Sequence, residues 1–238
     1  TGDAIRWAEM RFLFSGATST VGSGGQTGLL RNLDRANMLE GLAIKPVHYE
    51  TFPLDDTSGT QNIGNCNYGA MPDTPASIAG DDAYEPHVSE GIDEQSRNEF
   101  LCLSSDSYDT TAPGVSSNVT IAKTAMIHGI GLTPAELGTM AQAGTALIWS
   151  PRSNITLYGD TAQVTTAARM GVEIALGTDW MPTGSMNMLR ELHCADTLNT
   201  TYYHKYFSDR DLWRMATENA ASVTASGDKI GSLAVGRV

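Results

Sequence analysis

Four short stretches hold the side chains able to do chemistry: Pro86-His87-Val88-Ser89-Glu90-Gly91, Ile127-His128-Gly129, Trp149-Ser150-Pro151-Arg152-Ser153-Asn154 and Leu176-Gly177-Thr178-Asp179-Trp180. Together they supply two imidazoles and two carboxylates. Imidazole nitrogen and carboxylate oxygen bind a borderline divalent cation, and a carboxylate left over can move protons, so the set looks like a hydrolytic metal centre. Glu90 stands three residues beyond His87, where both side chains leave one strand end and can serve a single water. A plainer reading competes: Glu90 as the first-turn acid of a helix starting near Ile92, because acids favour a helix N-terminus.

Three of the four stretches follow short apolar runs, at 124–127, 145–149 and 172–176. The run before the first, at 83–86, is weaker as a strand. Helix-like sequence separates each stretch from the next. Strand, polar tip and helix in repetition predict an α/β fold, a TIM-type (β/α)8 barrel with its chemistry at the C-terminal ends of the strands.

Taken in order, residues 3–15 have helical spacing that stops at Gly16, and 18–21 form a β-branched strand. The glycine-rich run at 22–28 lacks Gly-Lys-Ser/Thr, so it reads as a turn instead of a phosphate loop. Residues 29–39 predict an amphipathic helix, 44–49 a strand in third position, and 54–80 a loop enclosing a short fourth-position strand near 62–67. A short helix is expected at 75–82, a strand at 84–88, a helix at 94–103 and a polar loop at 104–118. Thr133-Pro134-Ala135-Glu136 is a capping box with proline at the first helical position. Helices are further expected at 160–170, at 188–198 and from Ser208 through Ala221. Of the remaining histidines, His48 reads as a hydrogen-bonded structural residue, His193 as helix packing or surface, and His204 as part of an aromatic-rich connection.

The chain of 238 residues carries a formal charge of −12, which argues against nucleic-acid and anionic-membrane partners. With only 18% charged residues it is no solvated acidic tail, and it should fold. No apolar run reaches the 18 residues of a membrane span. Cys66, Cys102 and Cys194 are odd in number and widely spaced, so no disulfide framework is expected and a reduced cytoplasmic setting is the default. Asn118, Asn154 and Asn199 sit in glycosylation-type triplets that read as chance.

The order His87-x-x-Glu90, His128-Gly129, Ser150-Pro151-x-Ser153-Asn154 and Gly177-Thr178-Asp179 resembles the amidohydrolase superfamily, in its cytosine-deaminase, guanine-deaminase and chlorohydrolase-like branch. The resemblance covers most of the chain. It implies a metal-dependent barrel hydrolase that attacks a C–N or C–Cl bond with metal-bound hydroxide, acting on a small-molecule substrate, with deamination of an aminoheterocycle its first reading and zinc its first metal, iron being the other candidate. By that resemblance His87 is a metal ligand, Glu90 a proton shuttle, His128 a ligand or a substrate-polarising group, and Asp179 a ligand and general base. Asn154 is expected to hydrogen-bond substrate or hold its loop, and Arg152 to meet an anionic substrate group or a surface carboxylate. Trp180 is expected as an apolar wall for a flat ligand. A homo-oligomer is also implied.

The family opens its site with His-x-His on the first barrel strand, and no such pair occurs among His48, His87, His128, His193 and His204. The expectation is therefore a piece of a larger protein, 1–238 being most of the barrel without its first strand and accessory β-domain. Two other functions stay open at this level: a homologue that binds a small ligand without turnover, and a hydrolase of an acyclic amide. A binuclear centre bridged by a modified lysine is disfavoured, since Lys45 is the only strand-like lysine and lies well before His87.

Overall fold

A computed structural model describes residues 2–22 and 25–238, so part of the glycine-rich run lies outside the described residues. Helix α1 (Gly2–Phe14) leads into β1 (Ser19–Thr20), β2 (Arg31–Asn32), β3 (His48–Glu50) and β4 (Tyr84–Val88). Then come α2 (Glu94–Leu103), β5 (Ala125–His128), α3 (Pro134–Ala143), β6 (Ala146–Trp149), α4 (Pro151–Tyr158), α5 (Val164–Met170) and β7 (Ile174–Leu176). The chain closes with α6 (Met188–Thr201), α7 (Asp209–Ala216) and α8 (Glu218–Val223).

Strands β3 to β7 form one parallel sheet in chain order, and β1 pairs with β2, also in parallel. Two backbone bonds carry the succession across the gap: Leu33 N–H donates to Thr20 O, and Val47 N–H to Leu33 O, each at 2.8 Å. Seven parallel strands thus follow one another, with helices on their outer side. This is the incomplete TIM-type barrel expected from the repeated pattern.

Burial on both faces explains why the later strands are continuous apolar runs. Ala125, Ile127, Ala146, Ile148 and Ala175 form one small cluster on one face. Their neighbours Met126, Leu147, Trp149, Ile174 and Leu176 join the larger core with Leu137, Met140, Val164, Ala195 and Leu212. Small and branched residues on one face and bulky ones on the other are how the period-2 alternation shows itself when neither face is wet.

The N-terminal third departs from expectation. Residues 29–39 form no helix; Arg31 and Asn32 are extended instead. The cause is Glu9 of α1, a buried carboxylate that accepts from Gln26 N, Leu30 N and Asn32 Nδ2. Three donors spread over residues 26–32 outweigh a weak helical propensity. Because β2 takes a place in the strand succession, the strand expected in third position is the direct neighbour of β4, with His48 opposite Tyr84. No strand forms at 62–67, and 75–82 is a series of turns around the fully buried Ile78.

The cysteines also correct expectation. Cys66 and Cys102 are joined in a disulfide, 36 residues apart in sequence and 5.6 Å between Cα atoms, while Cys194 is free. The long loop after β3 folds back onto α2, where Asn98 donates to Asn65 O and accepts from Gly64 N, and Asp109 accepts from Cys66 N. An odd cysteine count could not reveal a partner brought in by that fold-back, and the cysteines no longer speak for a reduced setting. Among the described residues no helix is long and apolar enough to cross a membrane.

Downstream, the capping box at Thr133 and Glu136 forms as expected. The Ser150-to-Asn154 stretch, read as a pocket-lining segment, opens α4 with Pro151 at its first turn. The helix expected at 160–170 starts only at Val164, and the helix expected through Ala221 is interrupted at Thr217.

Candidate active site

His87 is the penultimate residue of β4, its Nδ1 facing the carbonyl of Glu50 at 3.0 Å. A carbonyl only accepts, so Nδ1 carries the proton and Nε2 keeps a bare lone pair, the form in which a histidine binds a metal. Burial pushes its pKa down, which keeps the ring neutral.

Glu90 sits on the turn after β4. It does not cap the next helix: Asp93 does, accepting from Ser96 N at 2.9 Å. Glu90 is left to the site, where Oε1 accepts from the Tyr158 hydroxyl at 3.1 Å and Oε2 lies 3.5 Å from His128 Nε2. Burial, and then the nearby Asp179 charge, raise its pKa above the usual carboxylate range.

His128 is fully buried, and burial followed by His87 pushes its pKa well down. Its backbone has φ of +77°, a left-handed conformation uncommon outside glycine. Strict alternation from Ile127 would turn the ring to the other face; the positive φ breaks that alternation and brings it beside His87, ring centroids 5.1 Å apart. Gly129 follows at φ +59°, and a Cβ there would stand 2.8 Å from Leu147 Cδ1, so only glycine lets the chain turn away. Ser89 and Asp179 are left-handed too, at +56° and +55°. Such conformations cost on the order of 1–3 kcal/mol each and gather where function demands them.

Asp179, three residues beyond Leu176 at the end of β7, accepts from Trp180 N at 2.6 Å through one oxygen. Ligand atoms of Glu90, His128 and Asp179 all lie within 4.8 Å of one another. His87 lies beside this group, its ring centroid 5.1 Å from that of His128. One imidazole and two carboxylates this close together, with a second imidazole alongside, suit a divalent metal ion.

The remaining expectations divide. Asn154 is fully buried behind His128, its Nδ2 3.4 Å from His128 Nδ1. Arg152 is committed elsewhere: its Nε donates to Gly184 O and its backbone N–H to Glu191 Oε1, both at 3.0 Å, so it braces the loop after β7. Trp180 is 69% exposed and projects from the tip instead of walling a cavity. Lys45 pairs with Asp82 and Gly80 O on the surface, and His48 pairs with Asp81. Tyr158 was not singled out from sequence. It lies four residues after Asn154 on α4 and therefore on the same helix face, a signal that becomes visible once α4 is known to be a helix.

Parallel strands whose ends converge on such a donor set define an α/β barrel of the metal-dependent hydrolase type. Residues 85–238 match the model of the amidohydrolase family, and the chain belongs to that family. It is 28% identical over 152 residues to a 5-methylthioadenosine/S-adenosylhomocysteine deaminase of Clostridium tetani, covering 62% of this chain and 34% of that protein. Human guanine deaminase is 27% identical over 158 residues, 64% of this chain and 34% of the enzyme. The chain thus spans about a third of the length of these curated relatives. An atrazine chlorohydrolase mutant from Arthrobacter aurescens, solved with zinc and atraton, superposes over 100% of this chain and 63% of its own, with TM-score 0.58 and 15% identity, a likeness of fold.

Proposed function

We propose that this chain carries most of the active site of a hydrolase that removes an amino group from a small aminoheterocycle. The observation that carries the proposal is Glu90, a raised-pKa carboxyl held between Tyr158 and His128 and grouped with Asp179 at the strand ends. The names of the two deaminase relatives support the choice of reaction.

His87 through Nε2 and Asp179 through its carboxylate would hold a single divalent ion, zinc by preference. A bound zinc lowers the pKa of water to about 7 and so supplies a nucleophile at neutral pH. Asp179 takes the proton of the attacking water. Glu90, whose pKa is raised by burial and the Asp179 charge, delivers a proton to the departing nitrogen. His128 stabilises charge developing on the ring or carbonyl of the substrate. Two protein donors fall short of the three usual for catalytic zinc, and the others would come from the remainder of the protein. A homo-oligomer belongs to the same reading, and native mass spectrometry tests its assembly.

The test is ammonia release by the zinc-loaded full-length protein from a panel of aminopurines, aminopyrimidines and aminotriazines. At least one should be turned over, and Glu90→Gln and Asp179→Asn should slow it by about 10²-fold or more. Either variant working at the wild-type rate removes the mechanism; no ammonia from any compound removes the deaminase reading.

A further inference from the structure

Behind the candidate site runs a buried chain of hydrogen bonds that ends on His128. The indole Nε1 of Trp149, which can only donate, reaches Thr161 Oγ1 at 2.7 Å. Thr161 Oγ1 lies 3.1 Å from Asn154 Oδ1, and Asn154 Nδ2 lies 3.4 Å from His128 Nδ1. Trp149 and Asn154 are fully buried, and Thr161 is 8% exposed.

The direction of every bond follows from the first. Thr161 Oγ1 accepts from the indole, so its own hydrogen is free to go to Asn154 Oδ1. That fixes the amide with its NH2 towards His128, and Nδ1 must then accept. Turning the amide over would set its NH2 against Thr161 and leave the threonine hydrogen with no acceptor among the described residues, an unpaired donor in a dry site. Nδ1 being an acceptor, the proton of the neutral ring sits on Nε2. Nε2 has no formed hydrogen bond among the described residues and faces Glu90 Oε2 at 3.5 Å.

We propose that Trp149, Thr161 and Asn154 are positioning residues that lock His128 in its Nε2–H tautomer, making it a hydrogen-bond donor into the site and excluding it as a metal ligand through Nε2. His87 is locked the opposite way by Glu50 O, with Nε2 bare. Two adjacent imidazoles, 5.1 Å apart between centroids, thus differ at Nε2: His87 offers a lone pair, His128 an N–H. The choice left open by the residue types, ligand or polarising group, is made behind His128 by side chains that never touch the substrate. The inference deepens the role given to His128 under the hydrolase reading, but its test requires neither metal nor turnover.

The experiment is a two-bond 1H–15N correlation spectrum of the 15N-histidine-labelled protein, with His128 assigned by its loss in His128→Gln. The wild type should show a bare Nδ1 and a protonated Nε2 at position 128. Asn154→Asp presents only acceptors to Nδ1 and should move the proton there, reversing the pattern. Thr161→Val removes the hydroxyl that orients the amide and should yield a mixture of tautomers. A wild-type His128 protonated on Nδ1 overturns the inference, as does an Asn154→Asp spectrum with the original pattern. A protein that shows the expected tautomer yet turns over nothing would refute the hydrolase reading alone.

Discussion

Glu90 shows how little of a catalytic group resides in the residue itself. As a free side chain it would be ionised at neutral pH; burial and the Asp179 charge raise its pKa, while the Tyr158 hydroxyl fixes where Oε1 points. Tyr158→Phe removes one hydrogen bond worth about 0.5–1.5 kcal/mol, so turnover should fall by roughly 2- to 12-fold with the fold unchanged. Steady-state rates beside a circular dichroism spectrum check this, and an unaltered kcat would show that Glu90 orients without the phenol. The four residues at strand ends, His87, Glu90, His128 and Asp179, were legible because chemistry-bearing types followed apolar runs at barrel spacing. Arg152 misled because its acceptor, the carbonyl of Gly184, lies 32 residues away and leaves no mark in the local sequence. Tyr158 was silent for a related reason: its partner is 68 residues distant, and its helix opens on a motif read as irregular.

Elements were legible where the local signal and the tertiary demand agreed. Strands β5 to β7 lie between two apolar layers, so their own composition betrays them, and α3 announces itself through Thr133, Pro134 and Glu136. Strand β2 was hidden because what makes it extended is Glu9, on another element. The loop after β3 was hidden in the same way, since its order comes from α2 through Asn98 and the Cys66–Cys102 bond. Closing a loop of that separation restricts the unfolded chain by about 4 kcal/mol in the entropic account. Cys102→Ser should therefore lower the unfolding free energy by about 2–4 kcal/mol, read as a lower urea midpoint with a somewhat steeper slope as the unfolded chain expands. Equal midpoints for the variant and the oxidised wild type would show that the hydrogen bonds to Asn98 and Asp109 alone hold the loop.

At the scale of the whole molecule, the balance of buried carboxyls sets how stability responds to pH. Glu99 and Glu191 are each pushed up to about 7, chiefly by burial, although Ser89 N–H and Arg152 N–H donate to them. In the unfolded chain both would titrate near 4.3. The folded state therefore holds their protons more tightly, and the stability they contribute is complete below about pH 4 and is lost as pH rises through about 7. Each adds a slope of at most about 1.4 kcal/mol per pH unit across that window. Asp211, lowered by its capping bonds to Ser208, works in the other direction but only at more acid pH. Between pH 5 and 7 Glu85, pushed up to about 8 by burial, descends with Glu99 and Glu191, while the buried His87 and His128, both lowered, ascend until about pH 6.5. Three descending carboxyls outweigh two imidazoles, and the urea midpoint of the wild type should fall. Glu191→Gln keeps an oxygen to accept from Arg152 N while removing the titration, so its midpoint should fall less steeply and exceed that of the wild type at pH 8. A wild-type midpoint that stays level or rises between pH 5 and 7 would mean that water or a bound cation reaches these carboxyls, and that the loop Arg152 and Glu191 brace is open in solution.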